Sequence, residues 1–561
     1  MALRVFLVIV ITFVVLLCLL AKVNDSRNQR SCMENLKKQF GKRSMRQIPD
    51  AVYRNISFYA SLHHSDFSMD DISWNDLDMD HIYRELNFCQ CSAGDELLYD
   101  YLRHPDLSDD EAAQMEQMIS FYRQNEDRRL NLQLILHRIG YSGKYSIWQY
   151  MSKLEELGNR SSFKIYLSYA MLLASVFLCF YKIHYGLILL FFVLIYNLIT
   201  YFREKNVIEP YLVCFSYLFR VLKQLDALDN QHIAYFDAEM KELKEIQKRL
   251  NKMKRFSFLL TASGQTGGNP IDILLDYLKM FLHLDILKFN RVYEQAGKYK
   301  SEIDTMLHTV GRIDLYLSVL YYREYLDAYC IPEFCQDCYS SRNMYHPLLE
   351  NPVKNDVTLN KSILITGSNA SGKSTFLKTV AVNTVLAQGI HTVCADSYRA
   401  DRFRVYTSLS LKDSIFSGDS YYMAEIKSIK RMMDEAERTD IASPVLIFVD
   451  EVLRGTNTIE RIAASSVILQ RISRFHGYCL AATHDIELTD ILSGCYENMH
   501  FEEQVADGDI YFPYHLLPGK SETRNAIALL KMLEYDSSLV EMASGEAEEF
   551  EKSGCWKQLE V

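Results

Sequence analysis

With 561 residues, the chain is several times longer than the ~100–200 residues of one domain, so two or three domains are expected. Its 49% apolar and 24% charged residues exclude a wholly disordered or collagen-like chain. A net charge of −11 excludes a surface that grips nucleic acid throughout, leaving a local basic patch for any such contact, and thirteen cysteines without regular pairing do not make a secreted disulfide scaffold.

The chain opens on Val5 to Ala21, seventeen uncharged and mostly apolar positions between Arg4 and Lys22. That is near the lower limit of the ~17–25 residues a membrane-spanning helix needs. A signal peptide is the competing reading. No small-x-small cleavage site precedes the downstream chain, so the expectation is an uncleaved transmembrane anchor over residues 1–22. Residues 23–72 read as a basic juxtamembrane linker, with Arg27, Arg30, Lys37, Lys38, Lys42, Arg43 and Arg46. Beside a membrane such a cluster is drawn to anionic lipid, with nucleic acid as the alternative. His63 and His64, in an acidic stretch, read as solvated loop.

From Asp70 to Leu154 apolar residues recur at spacings of three and four, which gives a first part of a helical core over 73–162. A second apolar block, Ile165 to Tyr201, is broken only at Lys182-Ile183-His184 and reads as a transmembrane hairpin within 163–203. A buried hairpin in a soluble core is the alternative, but Gly186 to Ile195 has no polar stripe, which favours lipid. With Arg203 and Lys205 following the hairpin, the positive-inside rule sets the N-terminus outside and both large soluble parts in the cytoplasm. The expected localisation is therefore a multi-pass protein of the cell membrane. Residues 204–338 read as the second part of the helical core, with an amphipathic stretch at Asp237–Leu250 and a loop at Ser263–Pro270.

Beyond about residue 340 short β-rich runs appear at Ser362–Thr366, Val445–Val449 and Tyr478–Ala482, alternating with helical stretches. That pattern predicts a parallel α/β sheet. We place the domain boundary near Cys338–Asn343, an α/β domain over 339–545 and a tail over 546–561.

Gly367-Ser368-Asn369-Ala370-Ser371-Gly372-Lys373-Ser374 matches the phosphate-binding P-loop pattern, between a strand and a helix. Its backbone amides would wrap the phosphates of ATP at a helix N-terminus, Lys373 would reach the β- and γ-phosphates, and Ser374, with Thr375 beside it, would ligate Mg²⁺. The strand Val445–Val449 ends in Asp450 and Glu451. Asp450 would hold Mg²⁺ and Glu451 would orient or deprotonate the attacking water; an acidic cap after a buried strand is the plainer alternative. His484, after the strand Cys479–Thr483, would position water or sense the γ-phosphate. These residues predict an Mg²⁺-dependent ATP hydrolase.

Together the motifs resemble the ATPase domain of the MutS family of DNA mismatch repair proteins, itself related to ABC-type ATPases. Gly367 to Thr375 is similar to the family's Gly-Pro-Asn-Met-Gly-Gly-Lys-Ser-Thr, Asp450 to Thr458 to its Asp-Glu-Ile-Gly-Arg-Gly-Thr-Ser-Thr, and Ala482-Thr483-His484 to its Ala-Thr-His. Tyr345-His346-Pro347 falls at the family's Arg-His-Pro, which implies that His346 helps to hold adenine. Ser417 to Glu425 resembles the loop that crosses to a partner's nucleotide, which makes Ser420 a candidate trans residue. Leu86 to Pro105 and Ile303 to Pro332 are similar to parts of the family's helical lever. The resemblance implies a P-loop NTPase domain of ABC/MutS type, a mainly α-helical core and lever, and, with the apolar blocks, three transmembrane helices.

Departures from the family are equally specific. Leu453 stands where the family has glycine, Asp419 where it has a basic residue, and no mismatch-reading domain fits before residue 70. The implied activity is that of a homodimeric, membrane-anchored ATPase driving helical levers, with DNA as a possible partner in a mismatch-repair-related role. The alternative is a nucleotide-switched membrane scaffold that controls a protein partner without touching DNA. Three spans leave little room for a transporter's path. Cys330, Cys335, Cys338 and His346 could be assembled into a zinc site, but only Cys335-Gln-Asp-Cys338 has ligand-like spacing, and reduced thiols are the expectation.

Overall fold

The computed structural model describes residues 23–556, apart from 25, 45, 64, 66, 159, 234, 255–269, 369–370, 410–420, 439–443, 454–455, 507–508, 522–526, 528–529, 531–534 and 555. The expected first span, Val5 to Ala21, lies outside the described residues. The rest divides into two units: one takes in the chain up to residue 66 and Tyr83–Tyr325, the other Phe67–Ile82 and the chain from Leu326 onward. The first unit is helical and the second is mixed α/β.

The helical unit is built on Ser92–Arg103 (α1), Phe163–Tyr181 (α2), Ile183–Asp229 (α3) and Lys300–Tyr325 (α4). α1 and α4 cross where each carries a glycine. A Cβ on Gly311 would lie 2.7 Å from the Ala93 carbonyl oxygen, and one on Gly94 2.8 Å from the Asp314 Cβ. Leu97, Leu98 and Leu102 of α1 and Met306, Leu307, Val310 and Ile313 of α4 are thereby fully buried. Asp314 lies in this crossing and accepts the backbone N–H groups of Gln90 and Cys91 at 2.8–3.0 Å. Burial pushes its carboxyl up to about 7.

The stretch expected to be a basic linker is folded onto this core. Arg46 forms a bidentate pair with Asp95 at 2.6 Å for both bonds and lies 4.0 Å from the centre of the Tyr141 ring. Its guanidinium is thus committed to a buried carboxylate. His63, expected in solvated loop, bonds Asp100 at 2.8 Å.

α2 and α3 form the hairpin, with the break at Lys182. A Cβ on Gly186 would lie 2.6 Å from the Cys179 Cα, so the glycine sets how closely the two helices approach. Ser168, Ser175 and Asn197 are buried, while Phe177 and Phe180 are 77% and 88% exposed. Small and polar residues inside with aromatics outside reverse the arrangement of a water-soluble hairpin. Among the described residues, α2 and α3 are the two helices long and apolar enough to cross a membrane. α3 does not end at residue 203 as expected. It runs unbroken for 47 residues, through Pro210 to Asp229, because the sequence after Arg203 changes from apolar to amphipathic without a helix-stopping signal strong enough to end it.

The α/β unit holds a six-stranded sheet of Ser362–Thr366 (β1), Arg404–Ser408 (β2), Val445–Asp450 (β3), Gly477–Ala482 (β4), Tyr496–His500 (β5) and Leu517–Pro518 (β6), in the order β6-β5-β1-β4-β3-β2. Every described pairing is parallel except β6 with β5. Apolar runs buried on both faces, as in β1 and β3, are what a helix-covered parallel sheet requires. The helices Lys373–Ile390 (α5), Tyr421–Arg438 (α6) and Thr458–Ile472 (α7) alternate with these strands.

This unit begins at Leu326, earlier than the expected boundary near Cys338–Asn343. Glu333–Phe334 already pairs in parallel with Arg399–Ala400 in a second, four-stranded sheet. Cys335 and Cys338 lie in the intervening turn with their Cα atoms 6.2 Å apart and their side chains together.

Residues 67–82, read from sequence as the end of the linker (to 72) and the start of the helical core (from 73), belong to the α/β unit. Their short helix Asp71–Asp76 lies against β2, an edge strand. The Thr407 N–H donates to Ser73 Oγ at 3.1 Å, and the Leu409 N–H and Thr407 hydroxyl donate to Asp76 Oδ2 at 2.8 Å each. Edge amides that would otherwise stand open are satisfied by side chains. Asp70 pairs with Arg431 on α6, and Asp78 with Lys378 on α5 at 2.7 Å.

Candidate functional site

The carboxyl ends of β1, β4 and β3 lie side by side, and each empties into polar residues. In an open α/β sheet this edge is where ligands bind. Backbone bonds fix the alignment: the Thr483 N–H donates to the Ile365 carbonyl and the Glu451 N–H to the Ala482 carbonyl, both at 2.9 Å.

After β1 the chain turns through Gly367 and Gly372, with φ of 140° and 99°. Glycine is required at both. A Cβ on Gly367 would meet the Phe501 carbonyl oxygen at 2.6 Å, and one on Gly372 the Tyr514 ring at 2.9 Å. Gly372 is the N-cap of α5, so the helix's free amides face the loop. The Lys373 ammonium is folded back into this loop and donates to the Gly367 and Ser368 carbonyls at 2.7 Å each. Lys373 is only 3% exposed, so a buried cation sits at a helix N-terminus within a ring of backbone dipoles, a local environment suited to an anion. Ser371 Oγ donates to the Ser368 carbonyl at 2.8 Å and stiffens the turn, while Ser368 Oγ donates to Glu503 at 3.2 Å. Asn369 and Ala370 lie outside the described residues, as does Ser420.

The Ser374 hydroxyl donates to Asp450 Oδ2 at the end of β3. Two hard oxygen ligands in contact, one anionic, fit Mg²⁺ better than a softer metal. Glu451, the next residue, has φ of 53° and is bonded through Oε1 to His484 Nε2 at 2.6 Å. A left-handed backbone at a non-glycine residue is the kind of strain that collects at functional sites.

His346 and Thr375 line a cavity of about 540 Å³ together with Pro352, Gly372, Phe501 and Tyr514. Its size and mixed lining suit a base with its sugar. His346 Nδ1 accepts the Leu348 N–H at 3.3 Å, which places the neutral ring's proton on Nε2. Burial, aided by the nearby Lys378 charge, pushes the imidazole down to about 4.

Some supporting residues are not marked by any motif. Arg461 on α7 makes a bidentate pair with Asp485, at 2.9 and 2.5 Å, directly beside His484. Glu425 on α6 accepts the Leu453 N–H. Leu453 itself has φ of 62°, so the position keeps a glycine-like backbone although its side chain is leucine. The family's glycine at this place, noted above as a departure, is the signal that marks it in the sequence.

Comparison with known proteins decides what kind of domain this is. The MutS domain V family matches residues 363–551. This domain is of the MutS family. The chain is 32% identical over 262 residues to MutS protein homolog 4 of Mus musculus, covering 42% of this chain and 26% of the relative. Against MutS protein homolog 4 of Homo sapiens the identity is also 32%, over 42% of this chain and 27% of the relative. Against the DNA mismatch repair protein MutS of Thermus thermophilus it is 29% over 203 residues, covering 35% of this chain and 24% of the relative. The matched stretch thus spans about a quarter of each relative's length. The MutS-type domain contains every described site residue except His346, which precedes the matched residues.

Proposed function

We propose that the chain is a membrane-anchored, homodimeric ATPase of MutS type whose ATP cycle drives its helical levers in work on DNA related to mismatch repair. The observation that carries the reading is the convergence at one sheet edge of buried Lys373, the Ser374–Asp450 contact and the Glu451–His484 pair. In this reading the amides and glycines at 367–372 and the Lys373 ammonium hold the triphosphate, and the cavity beside His346 takes the base. Ser374 and Asp450 hold Mg²⁺, whose chemistry when bound is to neutralise charge building on the phosphate oxygens. Glu451 accepts the proton of the attacking water, and His484, hydrogen-bonded to it, keeps the carboxylate aimed.

The membrane part of the proposal rests on the outward aromatics of α2 and α3 and on the polar residues buried between them. Placement in the cell membrane with both units cytoplasmic follows from the basic residues beside the apolar segments. The DNA part rests on the relatives' names and on the family of the domain.

The test uses full-length protein in detergent. Glu451→Gln is expected to keep nucleotide binding and lower ATP turnover at least about a hundredfold; unchanged turnover removes Glu451 from the mechanism. DNA retention measured against salt, with homoduplex, mismatched and branched duplexes, is expected to weaken as salt rises. No retention at low salt, with or without ATP, would overturn the DNA part and leave the ATPase standing.

A further inference from the structure

Outside the nucleotide site, the helical unit brings together three side chains that metal chemistry recognises. Asp100 and His104 are one helical turn apart at the end of α1, so both project from the same face. His63 follows the helix Phe58–Leu62 and reaches the same point. The Asp100 carboxylate is bonded through Oδ1 to His104 Nδ1 and through Oδ2 to His63 Nδ1, each at 2.8 Å. The three ligand atoms all lie within 4.8 Å of one another.

We propose that His63, Asp100 and His104 form a binding site for a divalent transition metal of the zinc class, with an open coordination position toward a neighbouring cavity.

Geometry and donor type carry the assignment. Metal–ligand bonds of about 2.0–2.2 Å set ligand atoms about 3.3 Å apart on a tetrahedron. The observed separations, from 2.8 Å to at most 4.8 Å, bracket that edge, so an ion replacing the hydrogen-bonded protons needs no rearrangement of α1. Two imidazoles and one carboxylate suit zinc, cobalt or nickel, whereas Ca²⁺ and Mg²⁺ ask for more oxygen ligands.

Access is also built in. Asp100 and His104 side chains are 3% and 5% exposed, while His63 is 47% exposed. Two ligands are therefore preformed, and the third stands where an ion enters. His63 also lines a cavity of about 580 Å³ with Tyr59, Trp148, Lys300 and Asp304, and Asp304 is fixed there by the Trp148 Nε1–H at 2.7 Å. The remaining coordination position opens onto this space, where water or a small anion attracted by Lys300 would sit.

The test takes full-length, chelator-stripped, nucleotide-free protein in detergent with excess Mg²⁺, so that oxygen-ligand sites are filled. Zn²⁺ is added by calorimetric titration, and zinc retained after desalting is measured by elemental analysis. Retention of one more zinc per chain by wild type than by Asp100→Asn is expected. His63→Ala, at a half-exposed position that leaves the fold intact by circular dichroism, is expected to weaken that binding at least about tenfold. Zn²⁺ should also raise the melting temperature of wild type and not of His63→Ala. Equal zinc retention by wild type and both variants, or none by any, would overturn the site and leave the three residues as a hydrogen-bonded clamp.

Discussion

Leu453 shows how a single position is pulled in two directions. A side chain in the left-handed region costs roughly 1–2 kcal/mol, which glycine would avoid. Leu453 is nevertheless only 5% exposed and packs in the core around β3 and α7 with Val449, Val452 and Leu469. Removing a buried leucine side chain costs about 2–5 kcal/mol, so burial outweighs strain. Leu453→Gly is therefore expected to destabilise by about 1–3 kcal/mol, read as a lower denaturant midpoint; a raised midpoint would show that strain dominates. The site residues were legible because each belongs to a local string whose spacing carries its chemistry: Gly367 to Ser374 before a helix, Asp450 and Glu451 after an apolar run. Arg461 and Asp485, 24 residues apart, belong to no such string and were not seen. His63 was misread for the same reason, since Asp100, the partner that takes it out of solvent, is 37 residues away.

Among the elements, the crossing of α1 and α4 depends on two missing side chains. Alanine is favoured over glycine within a helix by about 1 kcal/mol, so Gly311→Ala in isolation would stabilise α4. Here the added Cβ would meet a backbone oxygen of α1 at 2.7 Å, and backbone cannot rotate away as a side chain can. Overpacking of this kind costs about 1–3 kcal/mol or more, so Gly311→Ala is expected to lower the melting temperature; a rise would mean that α4 can shift along α1 without loss. Strand positions were readable because apolar runs bounded by polar residues mark both ends. The end of α3 was not. Arg203 changes the kind of solvent the sequence suits, from apolar to mixed, but a helix needs a capping signal or a break in its hydrogen bonds to stop. Pro210 lies within the helix and does not end it.

For the whole molecule, burial shifts titrating groups in both directions: carboxyls such as Glu96 and Asp314 go up, and imidazoles such as His308 and His346 go down. In the helical unit burial pushes Glu96 up to about 8 and Asp314 up to about 7. Their folded values exceed the unfolded ones, so the stability they contribute is complete below about pH 4 and is lost as pH rises through 7 and 8. In the α/β unit His346 is pushed down to about 4, so the unfolded chain binds that proton first and stability falls as pH drops from about 6.5 to 4, by up to about 3 kcal/mol. Scanning calorimetry between about pH 5 and pH 8 should show the α/β transition moving up with pH, whereas in the helical unit His137 and His308, pushed down by burial, oppose the effect of Glu96 and Asp314. An α/β transition that did not move would show His346 titrating as it does in water. The short helix that covers β2 has a different consequence, one of timing. Ser73 and Asp76 meet Thr407 and Leu409 across sequence separations of 331–334 residues. During translation Ser73 and Asp76 leave the ribosome long before the strand they protect exists, so the nascent N-terminal part waits with those polar groups unmatched. A contact closed over so long a loop forms late. Until then β2 presents bare amides to any neighbouring chain, and a fragment starting at Leu326 should aggregate unless the peptide 67–82 is supplied in trans.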